Sequence, residues 1–304
     1  MQPKTLITGG SGLLALNWAS ALRSKCSITL GLHQQQVSLT GVSTTRLNLE
    51  SMDELSRQFE TIQPQVVVHA AGLTSVEKCE SDPILARLLN VLLAVNLAKV
   101  CASFKVPFVH ISTDHLYSGI SGFSDESLPV SPVNVYGSTK AEAELRVQEE
   151  NPDALIIRTN FYGWGTSYRY SFSDFIIHTL RSEKKLELFD DVFYTPILAE
   201  SLAEATHDLI SLKAKGVFNV VGEEGLSKFD FGLRLANKLR LNVDLIKAAK
   251  ISSRPLLVKR PFDMSLSNKK ATSFLGRSLG TVDEHLSKLL QQEECGIAME
   301  LGKL

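Results

Sequence analysis

Over its first two-thirds the chain alternates short apolar runs with longer amphipathic stretches. Lys4–Thr8 reads as a strand and Gly9–Gly12 as a glycine turn. Leu13–Ser24 then sets Leu14, Ala15, Trp18, Ala19 and Leu22 on one helical face. Ile28–Leu32 predicts a second strand, and Met52–Ile62 a helix capped by Ser51 with Glu54 three residues on. Gln65–Ala70 carries the Val66-Val67-Val68 run of a buried parallel strand. Pro83–Phe104 predicts a long helix rich in Leu, Val and Ala. Pro107–Ser112 and Ala154–Arg158 predict strands, with a helix over Val135–Glu149 between them. Such alternation requires right-handed crossovers, so the expected fold is α/β, a Rossmann-type doubly wound parallel sheet with helices on both faces.

Past Asn160 the period loosens. Gly, Tyr, Ser and Phe crowd residues 161–175, and Gly216–Gly222 predicts a late strand returning to the sheet. The stretch from Ser227 onward is helix-rich, interrupted by Pro255 and Pro261. The expected division is a dinucleotide-binding domain over 1–165, with 192–222 returning to it. A smaller C-terminal substrate-binding region takes 166–191 and 223–304.

A chain of 304 residues with 44% hydrophobic and 21% charged residues can bury a sizeable core. A net charge of −1 without a basic block argues against nucleic-acid or membrane-surface partners. The N-terminus lacks the order of a secretory signal, and no uninterrupted apolar run approaches the ~20 residues of a membrane span. Cys26, Cys79, Cys101 and Cys295 lie far apart without metal-ligand spacing. Free thiols in a reduced, cytoplasmic compartment are expected, with no metal site.

The glycine turn changes the picture from fold to chemistry. Gly9-x-x-Gly12-x-x-Ala15 joins the first strand to the first helix, where backbone N–H groups can meet a pyrophosphate. Alone it also suits an unliganded strand-to-helix connection. Ala70-Ala71-Gly72, after the Val-rich strand, would line the same crevice. The second strand ends Leu30-Gly31-Leu32-His33-Gln34, without the acid that holds a ribose 2′-OH. That tilts the cofactor to NADP. NAD stays open, because no Arg adjoins this end in sequence. His33 suits either an adenosine contact or an ordinary surface position.

Tyr136 and Lys140 are one helical turn apart, so their side chains project from one face. The Lys ammonium is expected to draw the phenol below its usual pKa of ~10, fitting Tyr136 to protonate a carbonyl oxygen as hydride reaches its carbon. Thr113, at the end of the Pro107–Ser112 strand, could polarise that carbonyl; as an isolated Thr it reads equally as a turn hydroxyl. Asn90 interrupts an apolar helix, either ordering a water beside Lys140 or serving as a satisfied core amide.

Together these residues resemble the extended short-chain dehydrogenase/reductase family, most closely its dTDP-4-dehydrorhamnose reductase group of nucleotide-sugar reductases. The resemblance runs through His69-Ala70-Ala71-Gly72, Thr74–Glu80, Ile111-Ser112-Thr113-Asp114, Ser124-Asp125-Glu126, Pro132 to Lys140, Ile156–Thr159, Thr195-Pro196 and Arg260-Pro261. It implies an NAD(P)-dependent oxidoreductase with Thr113, Tyr136 and Lys140 as the catalytic triad and Asn90 in support. It implies cofactor contacts from Gly9, Ser11, Gly12, Leu13, His33, Asn48, Leu49, Ala70, Ala71, Gly72, Tyr136 and Lys140. Thr74, Val76, Glu77, Asn160 and Arg260 are implied to lie at a nucleotide-sugar substrate.

Three departures leave the substrate open. Asn48 replaces a common Asp, His115-Leu116-Tyr117-Ser118 replaces Tyr-Val-Phe-Asp, and Asp190–Tyr194 lacks Gln-x-Gly. A nucleotide-sugar epimerase with tightly bound NAD, and a catalytically silent NADP-binding regulatory subunit, remain as alternatives. Pro83–Phe104 and Tyr136–Glu149 could form a homodimer interface, or simply pack on the sheet.

Overall fold

The computed structural model describes residues 2–254 and 256–304; Met1 and Pro255, one of the two prolines expected to interrupt the C-terminal stretch, lie outside the described residues. Seven parallel strands form the central sheet: β1 (Lys4–Thr8), β2 (Ser27–Leu32), β3 (Ser43–Arg46), β4 (Val66–His69), β5 (Phe108–Ile111), β6 (Leu155–Arg158) and β7 (Gly216–Asn219). Their order is β7-β6-β5-β4-β1-β2-β3, reversing direction of growth beside β1. That reversal opens a crevice at the carboxyl ends of β1 and β4, where ligands of this fold class sit.

Alternate strand residues serve opposite layers, as the two-residue pleat requires. Leu6, Val67, Phe108 and Ile156 pack beneath α2 (Met52–Ile62), where Leu55 and Phe59 join them. Ile7, Val68, Val109 and Ile157 face the other way, onto α1 (Leu13–Leu22) with its buried Trp18.

Between β4 and β5 come the short α3 (Val76–Ser81), α4 (Pro83–Arg87) and α5 (Leu93–Phe104). The expected single helix over Pro83–Phe104 contains a π turn at Leu88–Leu92, with Asn90 at its centre. Such turns insert a residue and re-aim side chains, often at functional sites. By length and mean hydropathy this 22-residue stretch is apolar enough to cross a membrane, although Arg87, Asn90, Asn96 and Lys99 interrupt its apolar run. In the structure α5 packs against α2 and α6 (Val135–Glu150).

Strand β3 was not foreseen. Its sequence, Ser43-Thr44-Thr45-Arg46, is polar because it forms the outer edge and is largely exposed. Beyond β6 the chain builds its smaller part from short pairings: Phe161–Tyr162 with Ile197–Leu198, Phe193–Tyr194 with Leu226–Ser227, and Leu186–Phe189 with Ile246–Ala249. Around them lie α7 (Phe172–Arg181), α8 (Ala199–Ser211), α9 (Lys228–Lys238), α10 (Lys269–Leu275), α11 (Val282–Glu294) and α12 (Ile297–Gly302). Among the described residues no group of three or more His, Cys, Asp or Glu could hold a metal ion.

Candidate active site

Gly9 turns with φ +67°, and a Cβ there would stand 2.8 Å from the Ala71 backbone nitrogen and Cα. Only glycine permits both the left-handed backbone and this approach of the β4 loop. Gly12 is the N-cap of α1, which has no side-chain cap and no acid in its first turn. The first N–H groups of the helix therefore remain free donors with a positive local field, suited to a diphosphate. A cleft of about 600 Å³ runs from this turn over Ser11, His33, Asn48, Leu49, Ala71 and Gly72.

The same cleft is lined by Arg46, which reading along the chain had missed. Strand register sets Arg46 directly beside Leu32, at the end of β2 that has no Arg adjoining it in sequence. It is exposed and makes no ion pair among the described residues. The available signal was the edge strand itself, whose polar sequence hid it. Asn48 is turned partly to local work: its Nδ2 donates to Glu54 at 2.8 Å, and its Oδ1 accepts from the Glu50 N–H at 3.1 Å.

At Gly72 this cleft adjoins a cavity of about 300 Å³. Gly12, Leu13, Ala70, Gly72, Thr74, Val76, Thr113, Tyr136 and Asn160 line it together. Tyr136 stands in the first turn of α6, started by Asn134, whose side chain accepts from the Gly137 N–H at 2.9 Å. A Cβ at Gly137 would meet the His115 carbonyl at 2.3 Å, so glycine lets the helix press on the loop after β5. Thr113, on that loop, is buried and donates to Asp114 at 3.2 Å. Asp114 also accepts from Asn160 Nδ2 at 2.5 Å.

Burial pushes the Tyr136 phenol up to about 12, against a smaller opposite influence of the Thr113 hydroxyl. The expected lowering by Lys140 is absent. Lys140 is buried behind the cavity, with Nζ donating to the Ile111 carbonyl at 2.7 Å and 3.2 Å from His110 Nε2. One turn of helix put Tyr136 and Lys140 on one side, but the long lysine stem carries its charge down to the sheet. Desolvation draws Lys140 to about 8.

Asn90 makes no bond to Lys140. Its Oδ1 accepts from the Leu73 N–H at 2.7 Å, and its Nδ2 donates to the Leu73 carbonyl at 3.1 Å and to Thr139 Oγ1 at 3.0 Å. Of the two roles left open, the geometry is that of the satisfied amide, tying the segment after β4 to α6. Glu77 and Arg260 do not line the cavity; they pair with each other beside it.

The segment after Gly165 brings in two further residues. Tyr168 donates from its hydroxyl to the Ser11 carbonyl at 2.7 Å, and Arg169 donates to Thr74 Oγ1 at 2.8 Å. They bridge the glycine turn and the Thr74 segment across the cleft. The crowding of Gly, Tyr and Ser at 161–175 was their one trace in sequence.

The chain matches the RmlD substrate binding domain family over residues 3–295, and it belongs to that family. It is 28% identical to the probable low-salt glycan biosynthesis reductase Agl14 of Haloferax volcanii, over 93% of this chain and 96% of that protein. It is also 28% identical to the dTDP-4-dehydrorhamnose reductase of Salmonella typhimurium, over 73% of this chain and 82% of that one. The dTDP-4-dehydrorhamnose reductase of Bacillus anthracis, solved in complex with NADP, superposes with a TM-score of 0.84 at 21% identity, covering 96% of this chain and all of that one. That last likeness is one of fold.

Proposed function

We propose that this chain is an NADPH-dependent oxidoreductase that reduces a carbonyl on a nucleotide-sugar-like substrate, with Tyr136 giving the proton. The reading is carried by the convergence of the Thr113 and Tyr136 side chains in a cavity that adjoins the Gly9–Gly12 cradle. The reductase names of the family's members support it.

A dinucleotide suits the residues present: the Gly9 position that a Cβ would fill, the uncapped start of α1 and the small Ala71-Gly72 wall. When bound, NADPH supplies a hydride to the carbonyl carbon. Thr113 and Tyr136 then polarise the carbonyl oxygen, and the phenol proton passes to it as the alkoxide forms. A phenol held up at about 12 stays protonated at neutral pH, which is the form a general acid needs. Lys140 and the satisfied Asn90 hold α6 and the segment after β4 around it. Arg46 supports NADP over NAD, since it brings an unpaired guanidinium to the ribose end of the cleft. A cytoplasmic location is part of the same reading, in keeping with four free cysteines.

The deciding experiment is Tyr136→Phe, assayed for NADPH oxidation with a panel of nucleotide keto-sugars. Turnover should fall by about 10²–10⁴-fold while NADPH affinity holds. Full turnover in the variant would refute Tyr136 as the acid.

A further inference from the structure

Lys228 is a cation beside the reaction cavity that the scheme above does not use. It opens α9, where Ser227 caps the helix by accepting from the Asp230 N–H at 3.0 Å. Its own backbone N–H donates to the Val192 carbonyl at 3.0 Å. The ammonium is thereby held 3.2 Å from the centroid of the Tyr194 ring and 4.8 Å from that of Phe172. Phe172 lines the catalytic cavity.

The side chain is half-buried, yet among the described residues its ammonium makes no ion pair and no hydrogen bond. Three N–H donors without a protein acceptor at a half-buried position carry a desolvation cost. The aromatic faces offset part of that cost but offer no lone pair. Burial draws the ammonium down to about 7, with the Asp114 charge opposing and Arg260 adding to the fall. Asp114 attracts it from beyond ion-pair range, and its own carboxylate is committed to Thr113 and Asn160.

A second unsatisfied cation stands close by. Arg260 pairs with Glu77 through Nη2, while its Nε is buried without a partner among the described residues. Arg260 and Lys228 both act on His115, whose ring meets Tyr136 edge-on at 5.4 Å. Two cations with unfilled donors therefore stand beside His115 and Phe172, just outside the residues that line the cavity.

We propose that Lys228, together with Arg260, binds an anionic oxygen of a substrate that reaches past Phe172 at the edge of this cavity. Two sources share that chemistry: a phosphoryl oxygen of the diphosphate bridge, or a carboxylate on the sugar. The proposal rests on the nucleotide-sugar reading. Lys228 supplies charge and donors without taking part in proton or hydride movement.

Titration calorimetry on the full chain tests it, using dTDP, thymidine, UDP-glucose and UDP-glucuronate as probes and NADPH as control. Lys228→Met should weaken the anion by roughly 10-fold or more, the effect of a lost charge-assisted hydrogen bond. Lys228→Arg should restore most of the affinity, and NADPH affinity should not change. A loss shared by dTDP and UDP-glucose identifies the diphosphate; a loss confined to UDP-glucuronate identifies a sugar carboxylate. If wild type binds these probes and Lys228→Met binds them equally, Lys228 only packs on its rings and the proposal fails. If wild type binds NADPH but none of the four, the nucleotide-sugar reading fails with it. Thermal melts of Lys228→Met and Lys228→Gln exclude misfolding as the cause of a loss.

Discussion

Glu144 receives Arg158 through Nε at 3.0 Å and Nη2 at 2.7 Å, joining the helix that carries Tyr136 and Lys140 to the end of β6. The same carboxylate accepts from Ser112 Oγ at 2.5 Å, and Arg158 Nη1 donates to the Tyr117 hydroxyl at 2.7 Å. Both charged side chains are only 6% exposed, so the contact is a buried clamp. It ties the helix of Tyr136 to the loop of Thr113, because Glu144 lies on that helix and Ser112 directly precedes Thr113.

Removing one member of this clamp leaves the other charge buried and unpaired. Glu144→Gln and Arg158→Met should each destabilise the fold by about 3–5 kcal/mol in chemical denaturation. An apolar double replacement should recover part of that loss, since it removes both desolvation costs. Single variants as stable as wild type would show that water reaches the pair.

Arg46 should read the cofactor's 2′-phosphate. Arg46→Ala is expected to weaken NADPH by roughly 10–100-fold in fluorescence titration and leave NADH unchanged, as loss of a charge-assisted contact predicts. Equal loss for both dinucleotides would assign Arg46 to the shape of the cleft instead.

His69 and His110 sit in register on β4 and β5 with stacked rings 5.5 Å apart. Burial, with Lys140 adding to it, holds His69 at about 3 and His110 well below its ordinary value. Both are therefore neutral when folded, whereas the unfolded chain takes up protons on them below ~6.5. Stability from this source is fully present above that pH and is lost as pH falls from ~6.5 toward 3. The expected slope is about 1.4 kcal/mol per pH unit for each histidine. His69→Gln should flatten the acid limb of the stability curve; an unchanged limb would mean that other groups drive it.

Gly9→Ala combines a left-handed backbone with a Cβ 2.8 Å from the Ala71 nitrogen. The backbone strain alone costs about 1–2 kcal/mol. Because the clash falls on the cradle, NADPH binding should suffer more than thermal stability does. Calorimetric titration beside a melting curve separates the two, and an unaffected NADPH affinity would remove the turn from the cofactor site.

Much of this was readable along the chain, for a local reason. Strand runs such as Val66–Val68, the glycines at 9 and 12 and the one-turn step from Tyr136 to Lys140 are set by pleat, backbone sterics and helical pitch. Each acts within a few residues, so neighbours in sequence suffice. What lay outside that reach depends on register and packing. Arg46 meets Leu32 only because β3 joins the sheet edge, and the lysine charge turns to Ile111 only because the sheet passes beneath α6. Asn90 finds Leu73 and Thr139 through a π turn, and Lys228 reaches Tyr194 and Phe172 through the folding back of the C-terminal part. Sequence alone carries most of the parallel strands, the glycine turn and the one-turn spacing of Tyr136 and Lys140. Packing decides where Arg46, Lys140 and Lys228 carry their charges, since a long side chain's direction follows the surfaces closed around it.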